Sequence, residues 1–294
     1  MFSVIIPILV SVALFLPTLM DGVERKIKAR IQSRIGPPIL QSWFDIFKLM
    51  SKEFYIPVNS LHTVTLLLMY LALQPFVLIY LITSVIHPLT DYDLAITISI
   101  YIIIQALFIS IPFTIPNPFS IIGASREIML VIVNELFLII SISLYILYSG
   151  LTSFTQTRIV SFTLHTILIL LVLFINSYVS SGRLPFDIAE AEPELASGLM
   201  IELSGPLLGL LILCLHLKRF FVKLLPVILL TKLFIENNII LLMVSIVVTI
   251  IVWILYSVLS AILARSRVDL APITLLKIYI LLVILSVISY VLGI

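Results

Sequence analysis

An all-α, polytopic integral membrane fold of about eight transmembrane helices plus an amphipathic interfacial helix is predicted by three observations. Of the 294 residues, 62% are hydrophobic and only 11% charged, against roughly 25% charged in soluble domains. The mean hydropathy is +1.28. The apolar residues also fall in runs long enough to cross a hydrocarbon core, where lipid offers the backbone no hydrogen-bond partner and the chain must be helical. An ordinary soluble enzyme is thereby excluded. The formal net charge of +2 gives no electrostatic footprint for nucleic acid.

Measured against a span of ~20 residues, the runs lie at about 2 to 20, 62 to 87, 94 to 115, 126 to 149, 159 to 180, 195 to 217, 239 to 263 and 273 to 293. They make one membrane domain, 1–294. The first run has no basic residue before it and DGVERKIKAR after it, which is unlike a cleaved signal peptide, so it is expected to remain as a span. The stretch 220–234 carries Lys223, Pro226 and Lys232 and is short, so it reads as an interfacial or packed segment. Most basic residues, namely Arg25 to Lys52, Arg126, Arg183, Arg265, Arg267 and Lys277, follow spans 1, 3, 5 and 7. By the positive-inside rule those connections face the cytoplasm, and both termini face outward.

The polar segment 21–61 begins with Glu24, Arg25, Lys26, Lys28 and Arg30 and continues through Arg34 to Gly36-Pro37-Pro38. After this break Leu40, Trp43, Phe47, Met50 and Phe54 share one helical face, with Asp45, Lys48 and Lys52 opposite. This describes a helix lying on the membrane surface. It serves either as a positive-inside anchor or as a docking surface for a cytoplasmic partner.

Carboxylates mark the second feature. Asp187, Glu190, Glu192 and Glu194 crowd an acidic segment at about 181–195. It is either a solvated loop or a group whose mutual repulsion raises proton affinity. Glu127, beside Arg126, opens span 4, while Glu135 and Glu202 stand roughly 10 to 13 Å along their helices at ~1.5 Å per residue. A charge at such depth costs about 2.5 to 3.5 kcal/mol on insertion scales, so these acids should face the bundle interior or water. For Glu127 an ion pair with Arg126 is the alternative. His165, about six residues into span 5, either joins such a path or is a core histidine. Cys214 and the four histidines show no metal-ligand spacing, so any redox centre belongs to other subunits.

Three stretches carry a resemblance: ERKIKARIQSRIGPP with DIFKLMSKE, then GASREIMLVIVNEL at 123–136, then RLPFDIAEAEPELASGLMIELSGPLLGL at 183–210. In this order between eight spans, they resemble the large membrane subunit that joins the hydrophilic and membrane arms in respiratory complex I and in energy-converting membrane-bound [NiFe] hydrogenases. Gly123 to Glu127, Asp187 to Glu192 and Ser204 to Leu208 read more like the hydrogenase branch. Pro193 departs from the family pattern and disfavours a helical turn there.

The resemblance implies a proton path through Glu127, Glu135, Asp187, Glu190, Glu192, Glu194 and Glu202. It implies a docking role for Arg25, Lys26, Arg30, Arg34, Lys48, Lys52 and Glu53. It also implies no cofactor in this chain, with iron–sulfur clusters and, in the hydrogenase branch, a NiFe centre held by partners. Those partners are an iron–sulfur small subunit, a hydrogenase-like large subunit, small membrane subunits, antiporter-like subunits and membrane lipid, in a prokaryotic plasma membrane. A quinone-reducing complex I, a sulfur-reducing relative and a stand-alone ion-coupled transporter are the other readings.

Overall fold

The computed structural model describes residues 2–54, 61–115, 117–156, 163–187 and 203–293. Among these residues the protein is all helical. In chain order the helices are α1 (Phe2–Ile31), α2 (Gln41–Met50), α3 (Leu61–Ile86), α4 (Asp93–Ser110), α5 (Pro118–Ser149), α6 (Leu164–Ser180), α7 (Gly205–Thr231), α8 (Asn238–Ile262) and α9 (Leu270–Leu292). Six of them, α1, α3, α4, α5, α8 and α9, are long and apolar enough to cross a membrane; α6 is a shorter apolar helix. α7 is as long as these, at 27 residues, and carries Lys218, Arg219 and Lys223 among its apolar residues.

α7 is the axis of the bundle. It packs against α1, α2, α3, α6 and α8, and Phe220, Phe221 and Lys223 are all fully buried on it. Of the two readings of 220–234, the packed one holds for 220–231, which continue the helix from Gly205 and are not a separate short segment, and Lys218, Arg219 and Lys223 lie inside the protein. A helix enclosed by five neighbours can tolerate cations provided the neighbours supply acids.

α1 also runs further than hydropathy suggests. Its last turns carry Asp21, Glu24, Arg25, Lys26, Lys28 and Arg30 as helix, so the polar connection starts after Ile31. The i,i+4 pairs Asp21–Arg25 at 3.0 Å and Glu24–Lys28 at 2.8 Å favour this continuation, with the acid N-terminal to the base. The returning chain lies directly on α1. A Cβ at Gly22 would stand 1.8 Å from the Ile39 carbonyl oxygen, so only glycine permits the contact. We expect Gly22→Ala to lift residues 32–41 from α1, read as faster proteolysis within 32–40 and a lowered Tm.

α2 meets α7 through Ser42 and Ile46, both buried. Gly209 lets them approach, since a Cβ there would lie 3.2 Å from Leu49 Cβ and 3.4 Å from the Ile46 carbonyl oxygen. Leu40, Phe44, Phe47, Met50 and Phe54 remain exposed. The inner face is thus narrower and more polar than the sequence pattern suggests, and much of the apolar face is left for lipid or a partner.

A polar junction joins α5, α6 and α9. Asn176 Nδ2 donates to the Asn134 carbonyl at 2.6 Å, Asn134 Nδ2 donates to Ser180 Oγ at 2.6 Å, and Tyr279 Oη donates to Asn134 Oδ1 at 2.7 Å. Interhelical hydrogen bonds of this kind hold membrane helices together where the hydrophobic effect contributes little.

Candidate functional site

Two adjoining features occupy the end of the bundle where α1 stops, α5 begins and the loops after α6 and α8 meet. The loops are joined directly: Ser266 N donates to the Pro185 carbonyl at 3.0 Å, and Arg265 pairs with Asp187 at 3.3 Å.

The first feature is a buried ion cluster around two acids of α1. Arg183 reaches Asp21 Oδ1 at 2.8 Å and Glu24 Oε1 at 2.8 Å, so the residue that opens the acidic segment is clamped to the end of α1. Asp21 also meets Arg25 at 3.0 Å, Arg219 at 3.4 Å and His216 Nδ1 at 3.7 Å. Ser42 Oγ donates to Asp21 Oδ2 at 3.0 Å, and Trp253 Nε1 donates to Glu24 Oε2 at 3.0 Å. Lys223 sits behind them with its Nζ 3.9 Å from the Trp253 ring centre and donating to the Arg219 carbonyl at 3.1 Å. Both acids are buried, at 3% exposure each, and the surrounding charges and donors compensate them.

The second feature is a cavity of about 80 Å³ between α4, α5, α6 and α7, whose lining includes Gln105, Glu127, Asn134, Glu135, Asp187 and Lys218. At ~10–15 Å³ of probe volume per molecule it has room for roughly five waters, and its walls offer them polar partners. Glu127 and Glu135 lie on α5 two turns apart, and Asp187 joins them from the loop after α6. The carboxylates predicted at 127, 135 and 187 therefore line one cavity. Glu190, Glu192, Glu194 and Glu202 lie outside the described residues.

The residues predicted for docking are dispersed around the end of α1 and α2. Arg30, Arg34, Lys48, Lys52 and Glu53 are exposed, and Lys26 is half-buried. Arg25 is exposed too, and bridges Asp21 and Asp45 at 3.0 and 2.9 Å. His165 stands apart, bonded to Thr163 at 2.8 Å and packed edge-on against Tyr148 and Tyr290. It does not line the cavity. Among the described residues no three His, Cys, Asp or Glu side chains converge as a metal site.

Comparison with known proteins agrees with this architecture. The NADH dehydrogenase family matches residues 3–291. The chain belongs to that family. Within it, hydrogenase-4 component C of Escherichia coli is 34% identical over 68% of this chain and 66% of its own length. Formate hydrogenlyase subunit 4 of the same organism is 29% identical over 74% of each chain. NADH-ubiquinone oxidoreductase chain 1 of Pteropus vampyrus is 28% identical over 70% of this chain and 67% of its own. The hydrogenase-like branch of the NADH dehydrogenase family is thus supported. A chain in a structure of the membrane-bound sulfane sulfur reductase, an archaeal respiratory membrane complex, superposes with a TM-score of 0.81 over 96% of this chain and 98% of that one, at 23% identity. It shares the fold. This member of the NADH dehydrogenase family is an integral membrane protein whose relatives are subunits of multisubunit complexes.

Asp21, Glu24, His216, Lys218, Arg219 and Lys223 do not stand out as site residues in the sequence. A signal for them exists. His216, Arg219 and Lys223 recur at helical spacing along one face, as do Asp21, Glu24 and Lys28, which is the pattern of two buried polar faces that meet.

Proposed function

We propose that this chain is the coupling subunit of an ion-pumping complex of the membrane-bound hydrogenase type. It docks the iron–sulfur and catalytic arm and admits protons to the membrane arm. The observation that carries the reading is the cavity that gathers Glu127, Glu135 and Asp187 beside Lys218 and Arg219. Carboxylates that line one water-sized cavity can exchange protons through water held there, and their affinities respond to nearby charge.

Electron transfer in the docked subunits changes the charge or position of the acidic segment that begins at Arg183. Asp187, Glu190, Glu192 and Glu194 collect protons from the cytoplasm, and Glu127, Glu135 and Glu202 pass them inward. Antiporter-like and small membrane subunits take them onward. The complex sits in a prokaryotic plasma membrane with both termini of this chain outside. Iron–sulfur clusters and the NiFe centre belong to the partners. The names of the two Escherichia coli relatives favour hydrogen-evolving chemistry over quinone reduction.

The test is isolation of the intact assembly from its native membrane. Co-purification with iron–sulfur proteins, and hydrogen formed from reduced ferredoxin with protons taken up into proteoliposomes, is the expected outcome. Recovery as a lone, transport-competent protein overturns the reading, and sulfide or quinol formation replaces its acceptor. Docking has its own check. Arg30→Glu with Arg34→Glu reverses two exposed charges and should reduce the hydrophilic arm retained on the purified membrane arm at least fivefold; full retention removes these residues from the interface.

A further inference from the structure

Beyond Glu135 the bundle contains polar atoms that its own fold leaves without partners. Tyr70 Oη, Gln74 Nε2 and Oε1 and Gln105 Nε2 are buried and have no hydrogen-bond partner among the described residues, and beside them the buried Tyr101 Oη has only Glu135 and Ser180 within reach. Tyr70 and Gln74 are 0% exposed, and Tyr101 and Gln105 are 1% exposed. Such groups cannot be left dry at small cost, and in most proteins each is answered by the fold or by bound water. Here Tyr70 and Gln74 lie one helical turn apart on α3, and Tyr101 and Gln105 one turn apart on α4, the helix packed directly against it.

The backbone adds a further acceptor at the same level. Residue 75 is proline, so the Leu71 carbonyl lacks its helical donor; the contact given to it from another helix is the weak thiol donor of Cys214 at 3.9 Å. This row of groups joins the cavity. Gln105, Glu135 and Phe108 line it, the Tyr70 ring lies 5.2 Å from Phe108, and the ammonium of Lys218 lies 5.1 Å from the same ring. The Tyr101 hydroxyl lies within hydrogen-bonding reach of the Glu135 carboxylate and of Ser180. Tyr101 also borders a second void of about 10 Å³ beside Phe221 and Asn176, about one water in size.

We infer that Gln105, Tyr101, Tyr70 and Gln74 line an internal water chain between α3 and α4, and that it carries protons onward from Glu135 toward the middle of the bundle. The inference rests on the proposed function and names the next stretch of its path. In each hop an O–H bond to the proton breaks and one to the neighbouring oxygen forms. Glu135 gives its proton to a water, that water gives one of its own to the next, and a tyrosine hydroxyl accepts one proton as it donates another. No net charge stays behind once the chain has turned and Glu135 has been reprotonated from the cavity.

The experiment uses the whole complex in proteoliposomes with an internal pH dye, and compares Tyr101→Phe, Tyr70→Phe, Gln74→Leu and Glu135→Gln. The phenylalanines keep the rings that contact Phe221 and Phe108 and so guard against misfolding. Expected is a drop of at least fivefold in protons moved per electron pair for Gln74→Leu and for the double Tyr70→Phe/Tyr101→Phe variant, with no rise in Tm, because each change removes groups bonded to water. An unchanged ratio in these variants together with a raised Tm overturns the inference, since deleting dry, unpartnered groups stabilises. In that case a deficit in Glu135→Gln alone leaves the proposed function standing. Normal pumping by Glu135→Gln defeats both.

Discussion

Glu135→Gln should abolish most ion movement while leaving the complex assembled. Glutamine matches glutamate in size and still fills the wall of the cavity, but it cannot take up or release a proton. Glu135 is 8% exposed, and the hydrogen-bonding neighbour of its carboxylate is the Tyr101 hydroxyl, from which the oxygen of an amide can still accept. The substitution also removes a negative charge from a cavity that Lys218 shares, and with it the field that draws protons through the water there. We expect the pumping rate to fall at least tenfold, about 1.4 kcal/mol on the barrier, with the yield of assembled complex within twofold of wild type. Pumping at the wild-type rate would falsify the role given to this acid.

The second large effect is structural. Arg183→Met keeps much of the side-chain bulk but withdraws the guanidinium that spans Asp21 and Glu24, both at 2.8 Å. Breaking a buried pair by removing one partner typically costs about 3–5 kcal/mol, because the remaining charge is uncompensated. Lys28 and Arg25 retain their contacts to the two acids, so the loss should fall toward the lower end of that range. The readouts are Tm in detergent and abundance in the membrane. Combining Arg183→Met with Glu24→Gln should recover part of the loss, and a double-mutant cycle with no coupling would remove Arg183 from the cluster.

Much of this architecture was legible in the residues, and what was missed has a common cause. Hydropathy located a helix near each of the eight apolar runs, six of them long and apolar enough to cross a membrane, because lipid leaves the backbone few choices. It misplaced the end of α1 and the length of α7 for one reason: a window average scores a charge as a break, whatever that charge will meet. Asp21 and Glu24 read as the start of a loop, and the stretch around Lys223 as a separate short segment, although the acids of α1 face Arg219 and Lys223 across the bundle. The site was legible in the opposite way. Glu127 and Glu135 stand out because they interrupt apolar sequence, whereas their closeness to Asp187 depends on how α5 packs on α6, which no spacing along the chain reveals. The buried amides and phenols on α3 and α4 gave no signal, since glutamine and tyrosine are unremarkable until burial is known.

The three cations of α7 also bear on how the protein is made. On its own, a segment with lysine and arginine near its centre is rejected by the insertion machinery at about 2.5 to 3.5 kcal/mol per residue. Lys218 shares its cavity with Glu135 of α5, but Arg219 meets Asp21 of α1 at 3.4 Å, and α1 leaves the ribosome some 200 residues earlier. Biogenesis must therefore retain the N-terminal helix beside the translocation channel until the later one arrives, so that the two enter the bilayer as a neutralised couple.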